Sequence, residues 1–123
     1  MNSGDGKVAL EQAGSVLVVC PRGDVDMSDV KEIVDAFSLA LHDAATDATL
    51  IDLSMLTFAD SALLNQLLVT CSGHAGKGRP LVLCGPLQPP LRRVLQITGV
   101  DTVLPLVAGR PEGLHQLGAA NCS

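Results

Sequence analysis

The sequence predicts an α/β fold: a single domain with a mostly parallel central sheet of about five strands, an N-terminal antiparallel hairpin and three to four helices. Three observations predict it. Apolar runs of strand length, such as Val16–Cys20 and Leu81–Cys84, are nearly continuous, as expected for strands covered on both faces. Between such runs, apolar residues recur at three- and four-residue spacing, the period of a helix. At the start, two strand-like segments stand either side of the turn Ala13-Gly14 and read as a hairpin. Strand–helix alternation after a hairpin means parallel strands with right-handed crossovers and an antiparallel edge.

Taken in order, Lys7–Gln12 alternates loosely and Ser15–Pro21 is β-branched and apolar, giving the hairpin. Arg22 to Asp26 is polar and reads as a turn. From Ser28 the period changes: Val30, Ile33, Val34, Phe37, Leu41 and Ala44 form one stripe of a helix about four turns long. Asp26 or Ser28 is placed to cap it, and Asp29 suits the positive end of its dipole. Thr49–Leu53 is a short apolar strand. Asp60-Ser61 then signals an N-cap before Leu64, Leu67, Leu68 and Cys71 at helical spacing, and Gly73, Gly76 and Gly78 end that helix. Pro80–Gly85 reads as a buried strand. Pro89-Pro90 opens a third helix, with Leu91, Val94 and Leu95 facing inward and Gly99 as its C-terminal cap. Val103–Val107 is a last strand, which Pro105 assigns to an edge, and Pro111–Leu117 has the length of a short final helix.

Composition bounds the class. At 123 residues the chain has the size of one domain and can build a core without staples. The expected organisation is a flexible N-terminus at 1–6, the domain at 7–117 and a flexible tail at 118–123. A hydrophobic fraction of 47% excludes a disordered chain. No apolar run approaches the ~18 residues that span a bilayer, and Met1–Gly6 lacks the features of a signal peptide, so the expected compartment is the cytoplasm, with no membrane partner. Eight basic residues against 13 acidic ones, a net charge of −5, and only Phe37 and Phe58 as aromatics argue against direct nucleic-acid binding. The four cysteines, Cys20, Cys71, Cys84 and Cys122, form no CxxC pair. Cys71 and His74 would be two ligands where a zinc site needs three or four.

Most candidate chemistry falls away on inspection. His74–Arg79 has glycines and a lysine but follows a helix and precedes a strand, the reverse of a phosphate-binding loop. Ser61 lies at a strand-to-helix turn without the glycines of a nucleophile elbow. His42, His74 and His115 stand in polar or helix-surface contexts. Asp24 and Asp26 read as turn or capping residues, and Arg92 and Arg93 as a solvated helix face. The Asp60-Ser61 turn keeps two readings: a plain helix cap worth about 1 kcal/mol, or a functional turn.

Leu50-Ile51-Asp52-Leu53-Ser54-Met55-Leu56-Thr57-Phe58-Ala59-Asp60-Ser61-Ala62-Leu63-Leu64 resembles the signature of STAS domains, specifically bacterial anti-sigma factor antagonists. In that family a strand runs into D-L-S-x-L-x-F-x-D-S-[ST]-G-L at a helix start. Gly23-Asp24-Val25-Asp26 is similar to the family's G-x-[LV]-D. Leu81–Cys84 and Leu91–Val100 are similar to its following strand and L-x-R-x-[LF]-x-x-[ST]-G-[LV] helix. The likeness covers about residues 7 to 107.

The resemblance implies a STAS-like fold and a cytoplasmic regulatory protein with neither enzymatic activity nor a cofactor or metal. It implies docking on an anti-sigma factor, often a serine kinase, through Asp24, Asp26, Asp60, Ser61, Ala62 and Leu63. Phosphorylation in the Asp60-Ser61 turn would switch that docking and a phosphatase would reverse it, the chain being a monomer or weak dimer. The pattern departs at two places: Ala62 replaces the second hydroxyl and Leu63 the glycine, leaving Ser61 as the acceptor. Leu63 either packs into the core or alters the partner surface. The alternatives are a divergent STAS scaffold that binds without phosphorylation, and a small enzyme or thiol switch using Cys71 or Cys84.

Overall fold

Val16, Val18 and Cys20 face one side of the central sheet and Leu17 and Val19 the other, and all five are buried. That two-sided burial is the architecture. A computed structural model describes residues 7–25 and 28–118. Expectations placed on residues 1–6 and 119–123, on Asp26 and on Cys122 lie outside the described residues.

In chain order the elements are β1 (Val8–Ala13), β2 (Val16–Pro21), β3 (Gly23–Val25), α1 (Val30–His42), β4 (Ala48–Asp52), β5 (Leu56–Ala59), α2 (Ser61–Gly76), β6 (Leu81–Cys84), α3 (Pro89–Thr98), a 3₁₀ turn (Val100–Thr102), β7 (Leu106–Val107) and α4 (Arg110–Gln116). The five-stranded sheet has the order β1-β2-β4-β6-β7. β1 and β2 pair antiparallel, from Val8 opposite Pro21 to Ala13 opposite Val16, and the remaining pairs are parallel. β7 is an edge strand of two residues, next to Pro105 as the missing N–H requires.

The fold therefore has the predicted class, with local corrections. Gly23–Val25 is a strand rather than a turn, and it pairs in parallel with β5 in a separate two-stranded sheet. Asp29 occupies the N-cap position of α1, rather than Asp26 or Ser28, and Lys7 Nζ lies 3.9 Å from its carboxylate. The buried face of α1 is Ile33, Ala36, Phe37 and Ala40; Ala44 lies past the helix end and is exposed.

One core layer joins Leu17, Val19, Ile51 and Leu83 of the sheet to Ile33 and Phe37 of α1, Leu64 and Leu67 of α2, and Leu91 and Leu95 of α3. The other joins Val16, Val18, Leu50 and Val82 to Leu114 and Leu117 around α4. His74 corrects another expectation. It is 1% exposed, not on the helix surface, and is sealed between α2 and β4. Next to it, Arg79 donates to the Thr49 hydroxyl and to the carbonyls of Asp43, Thr46 and Ala48, tying the end of the sheet to the loop before β4.

Candidate functional site

β5 delivers the chain to Asp60, whose extended backbone (φ −87°, ψ −178°) is the geometry of a helix N-cap. Its Oδ1 accepts the N–H groups of Ala62 at 3.0 Å and Leu63 at 3.2 Å, and its carbonyl accepts the N–H of Leu64. Asp60 thus performs the capping role in full. Ser61 is the first residue of α2, exposed, and no described residue hydrogen-bonds its hydroxyl. The helix it opens carries no Asp, Glu, Lys or Arg along its 16 residues.

The β3–β5 ladder brings a distant segment to this turn. Asp24 pairs with Phe58 and Val25 with Ala59, so Asp24 sits two residues of strand away from the cap. Asp24 is exposed, and its carbonyl accepts from Lys7 Nζ at 3.2 Å. Phe58 is 40% exposed and Met55, just before β5, 59% exposed. Phe58 therefore stands in water two residues before the Asp60 cap, and Met55 at the other end of β5, where an isolated fold would gain by covering them.

Of the predicted site residues, Asp24, Asp60 and Ser61 come together at this end of the molecule. Ala62 is half-buried. Leu63 is a correction: it is 0% exposed and packs in the core with Leu64 and Leu67, so its side chain presents nothing to a partner. Asp26 lies outside the described residues. Sequence reasoning omitted Met55 and Phe58. Phe58 stood inside the recognised motif, but four residues of strand are too few for alternation to reveal which side chains face water.

The cysteines have a different character. Cys20 and Cys84 are buried and Cys71 half-buried. Burial raises the pKa of all three, that of Cys84 to about 12 with the Asp52 carboxylate beside it adding to the effect. Cys20 and Cys84 lie on β2 and β6, either side of β4. Two strand spacings put them about 10 Å apart, beyond the span of a disulfide. Among the described residues no three His, Cys, Asp or Glu side chains gather as a metal site would need. A cleft of about 470 Å³ between α3 and the ends of β6 and β7 is lined by Leu87, Arg92, Leu95 and Asp101 among others; the Ser61 turn takes no part in it. No helix among the described residues is long and apolar enough to cross a membrane.

Against known proteins, the family model described as "Mlab, STAS domain" matches residues 8–108. An anti-sigma factor antagonist from Mycobacterium paratuberculosis is 27% identical, with a TM-score of 0.78 over 89% of this chain and 92% of that one. An anti-sigma-factor antagonist (STAS) domain protein from Planctomyces limnophilus is 22% identical, with a TM-score of 0.75 over 91% and 98%. The Bacillus cell fate determinant SpoIIAA, in its phosphorylated form, is 21% identical, with a TM-score of 0.65 over 85% and 93%. The strand order, the capped turn after β5 and the match over residues 8–108 have one reading: this chain belongs to the STAS domain family.

Proposed function

We propose that this STAS domain is a regulatory docking protein of the anti-sigma factor antagonist type. It binds an anti-sigma factor or serine kinase through the face made by Asp24, Phe58 and Ser61, and phosphorylation of Ser61 releases the partner, with a phosphatase restoring the docking form. The observation that carries this reading is the exposed Ser61 at the start of α2, whose hydroxyl no described residue hydrogen-bonds, three residues after exposed Phe58.

The electrostatics favour a switch that spares the fold. A phosphate adds about −1.5 to −2 charge, which the positive end of a helix tolerates. Docking is another matter: the same charge must be desolvated against an apolar contact such as Phe58, next to the Asp60 carboxylate. A binding loss of about 3 kcal/mol is roughly a hundredfold in affinity.

Two experiments in sequence test it. Co-purification of the full chain from its native host, read by mass spectrometry, identifies the bound protein. Incubation with that kinase and ATP, read by intact mass with Ser61→Ala as control, then reports the modification. Absence of a phosphoryl group on Ser61, with binding intact, favours the second reading: a constitutive scaffold. Ala62 and the buried Leu63 are what supports that alternative, because the family's second hydroxyl and glycine are both gone.

A further inference from the structure

We propose that Asp52 and Arg110 are positioning residues for the Ser61 docking face, so that α4, on the far layer of the fold, sets the geometry of the turn where a partner docks. The inference rests on the docking reading above and adds the residues that hold that face in place.

Asp52 ends β4 and is 5% exposed. A buried carboxylate is tolerated only when its oxygens are paired. Here Oδ1 accepts the N–H of Ser54 at 2.9 Å, and Oδ2 accepts Arg110 Nε–H at 2.9 Å. Burial alone would raise the Asp52 pKa; the hydrogen bonds from Ser54 and Arg110 outweigh it and hold the group below the usual carboxylate range. The carboxylate therefore stays charged and keeps its grip on Ser54.

Ser54 and Met55 form the turn between β4 and β5, and three elements fix it. Asp52 holds the Ser54 N–H, Gln88 at the start of α3 donates to the Ser54 carbonyl at 3.1 Å, and Gly23 of β3 donates to the Met55 carbonyl at 2.9 Å. This turn decides where β5 begins, and β5 carries Phe58 and ends at the Asp60 cap.

Arg110 reaches Asp52 from a helix that lies close to β4 at Gly113. A Cβ at Gly113 would lie 2.6 Å from Leu50 Cδ1, so at this approach of α4 to β4 a larger residue would have to displace the buried Leu50 side chain. Arg110, three residues earlier on the same helical face, is thereby brought to the end of that strand. Its remaining nitrogens bond Glu11 Oε1 at 2.8 Å and Cys20 Sγ at 3.3 Å, which fixes the guanidinium in one pose.

The test is residue-resolved amide exchange by NMR on the full chain. Arg110→Met keeps the apolar stem and removes the donors. The expected result is exchange about tenfold faster at Ser54, Ala62 and Leu63, with Ile33 to Ala40 of α1 unchanged. Gly113→Ala, which sets a methyl against Leu50, is expected to loosen the same amides, and serves in place of Arg110→Met should that variant not fold. Uniform acceleration across all helices, or unchanged exchange at Ala62 and Leu63, overturns the proposal. The readout needs no partner, so it is separable from the docking reading: failure to capture a partner leaves the exchange pattern standing, whereas a uniform pattern with wild-type docking intact removes the positioning role alone.

Discussion

His74 Nε2 lies 2.9 Å from the Thr49 hydroxyl, inside the junction between the end of α2 and the start of β4. The directions of the bonds follow from their partners. His74 Nδ1 is 2.8 Å from the Thr70 carbonyl, which can only accept, so Nδ1 carries the proton of the neutral ring. Nε2 then accepts from Thr49, whose oxygen in turn accepts Arg79 Nε–H at 3.0 Å. A second proton on the ring would turn this acceptor into a donor facing a hydroxyl already engaged by a guanidinium.

That arrangement sets a pH dependence. Burial holds the His74 pKa below the ordinary 6.5, and the charges of Arg79 and His42 push the same way against the Thr70 bond. Below about pH 6.5 the unfolded chain binds a proton that the folded chain refuses, so stability falls with falling pH until the folded pKa is passed. The slope is at most about 1.4 kcal/mol per pH unit from this group. Urea midpoints at about pH 7.5 and about pH 5 are expected to differ more in the wild type than in His74→Gln, which has no imidazole to titrate. Equal differences in the two chains would remove His74 as the cause.

Leu63→Gly restores the family's residue and is expected to harm the fold. Truncating a buried leucine costs about 2–5 kcal/mol and glycine in a helix roughly 1 kcal/mol more. Ala62→Thr, at a half-buried position of the same turn, is expected to cost below about 1 kcal/mol. Chemical denaturation of the two variants checks the contrast.

Ser61→Asp and Asp60→Ala are expected to part company although they are neighbours. Ser61→Asp places charge at the positive helix end and leaves the thermal midpoint nearly unchanged, while partner affinity falls up to roughly a hundredfold. Asp60→Ala removes the acceptor of two N–H groups and costs about 1 kcal/mol, a few degrees in midpoint. Calorimetry with titration against the co-purified partner separates them. A Ser61→Asp variant that loses binding only because it unfolds would count against the switch.

Cys84 is expected to resist alkylation in the native chain. A thiol with its pKa pushed up to about 12, fully buried, holds almost no thiolate at neutral pH. Peptide mapping after iodoacetamide treatment at about pH 8, with a urea-unfolded control, reads this directly. Replacing Cys71 and Cys84 by alanine is expected to leave partner binding unchanged; a loss of binding in a variant that remains folded would revive the thiol-switch alternative.

Much of the fold was legible in the chain because its signals are local and repeat. Five continuous apolar residues mark β2, a three- and four-residue spacing marks α1 and α2, and Pro89-Pro90 with Gly99 bounds α3. The capping signal at Asp60 and Ser61 was equally local, since it depends on neighbouring residues alone.

What distance in the chain conceals, only tertiary structure decided. β3 and β5 are three and four residues long, shorter than any period can reveal, and each exists because the other lies alongside. Leu63 and His74 have ordinary helical neighbours; the sheet beneath them makes one a core residue and the other a sealed, neutral imidazole. Asp52 and Arg110 stand far apart in sequence, and they pair because α4 packs close against β4, with Gly113 over Leu50. Local order follows from the residues beside one another, whereas burial and long-range hydrogen bonding follow from which surfaces the folded chain brings together.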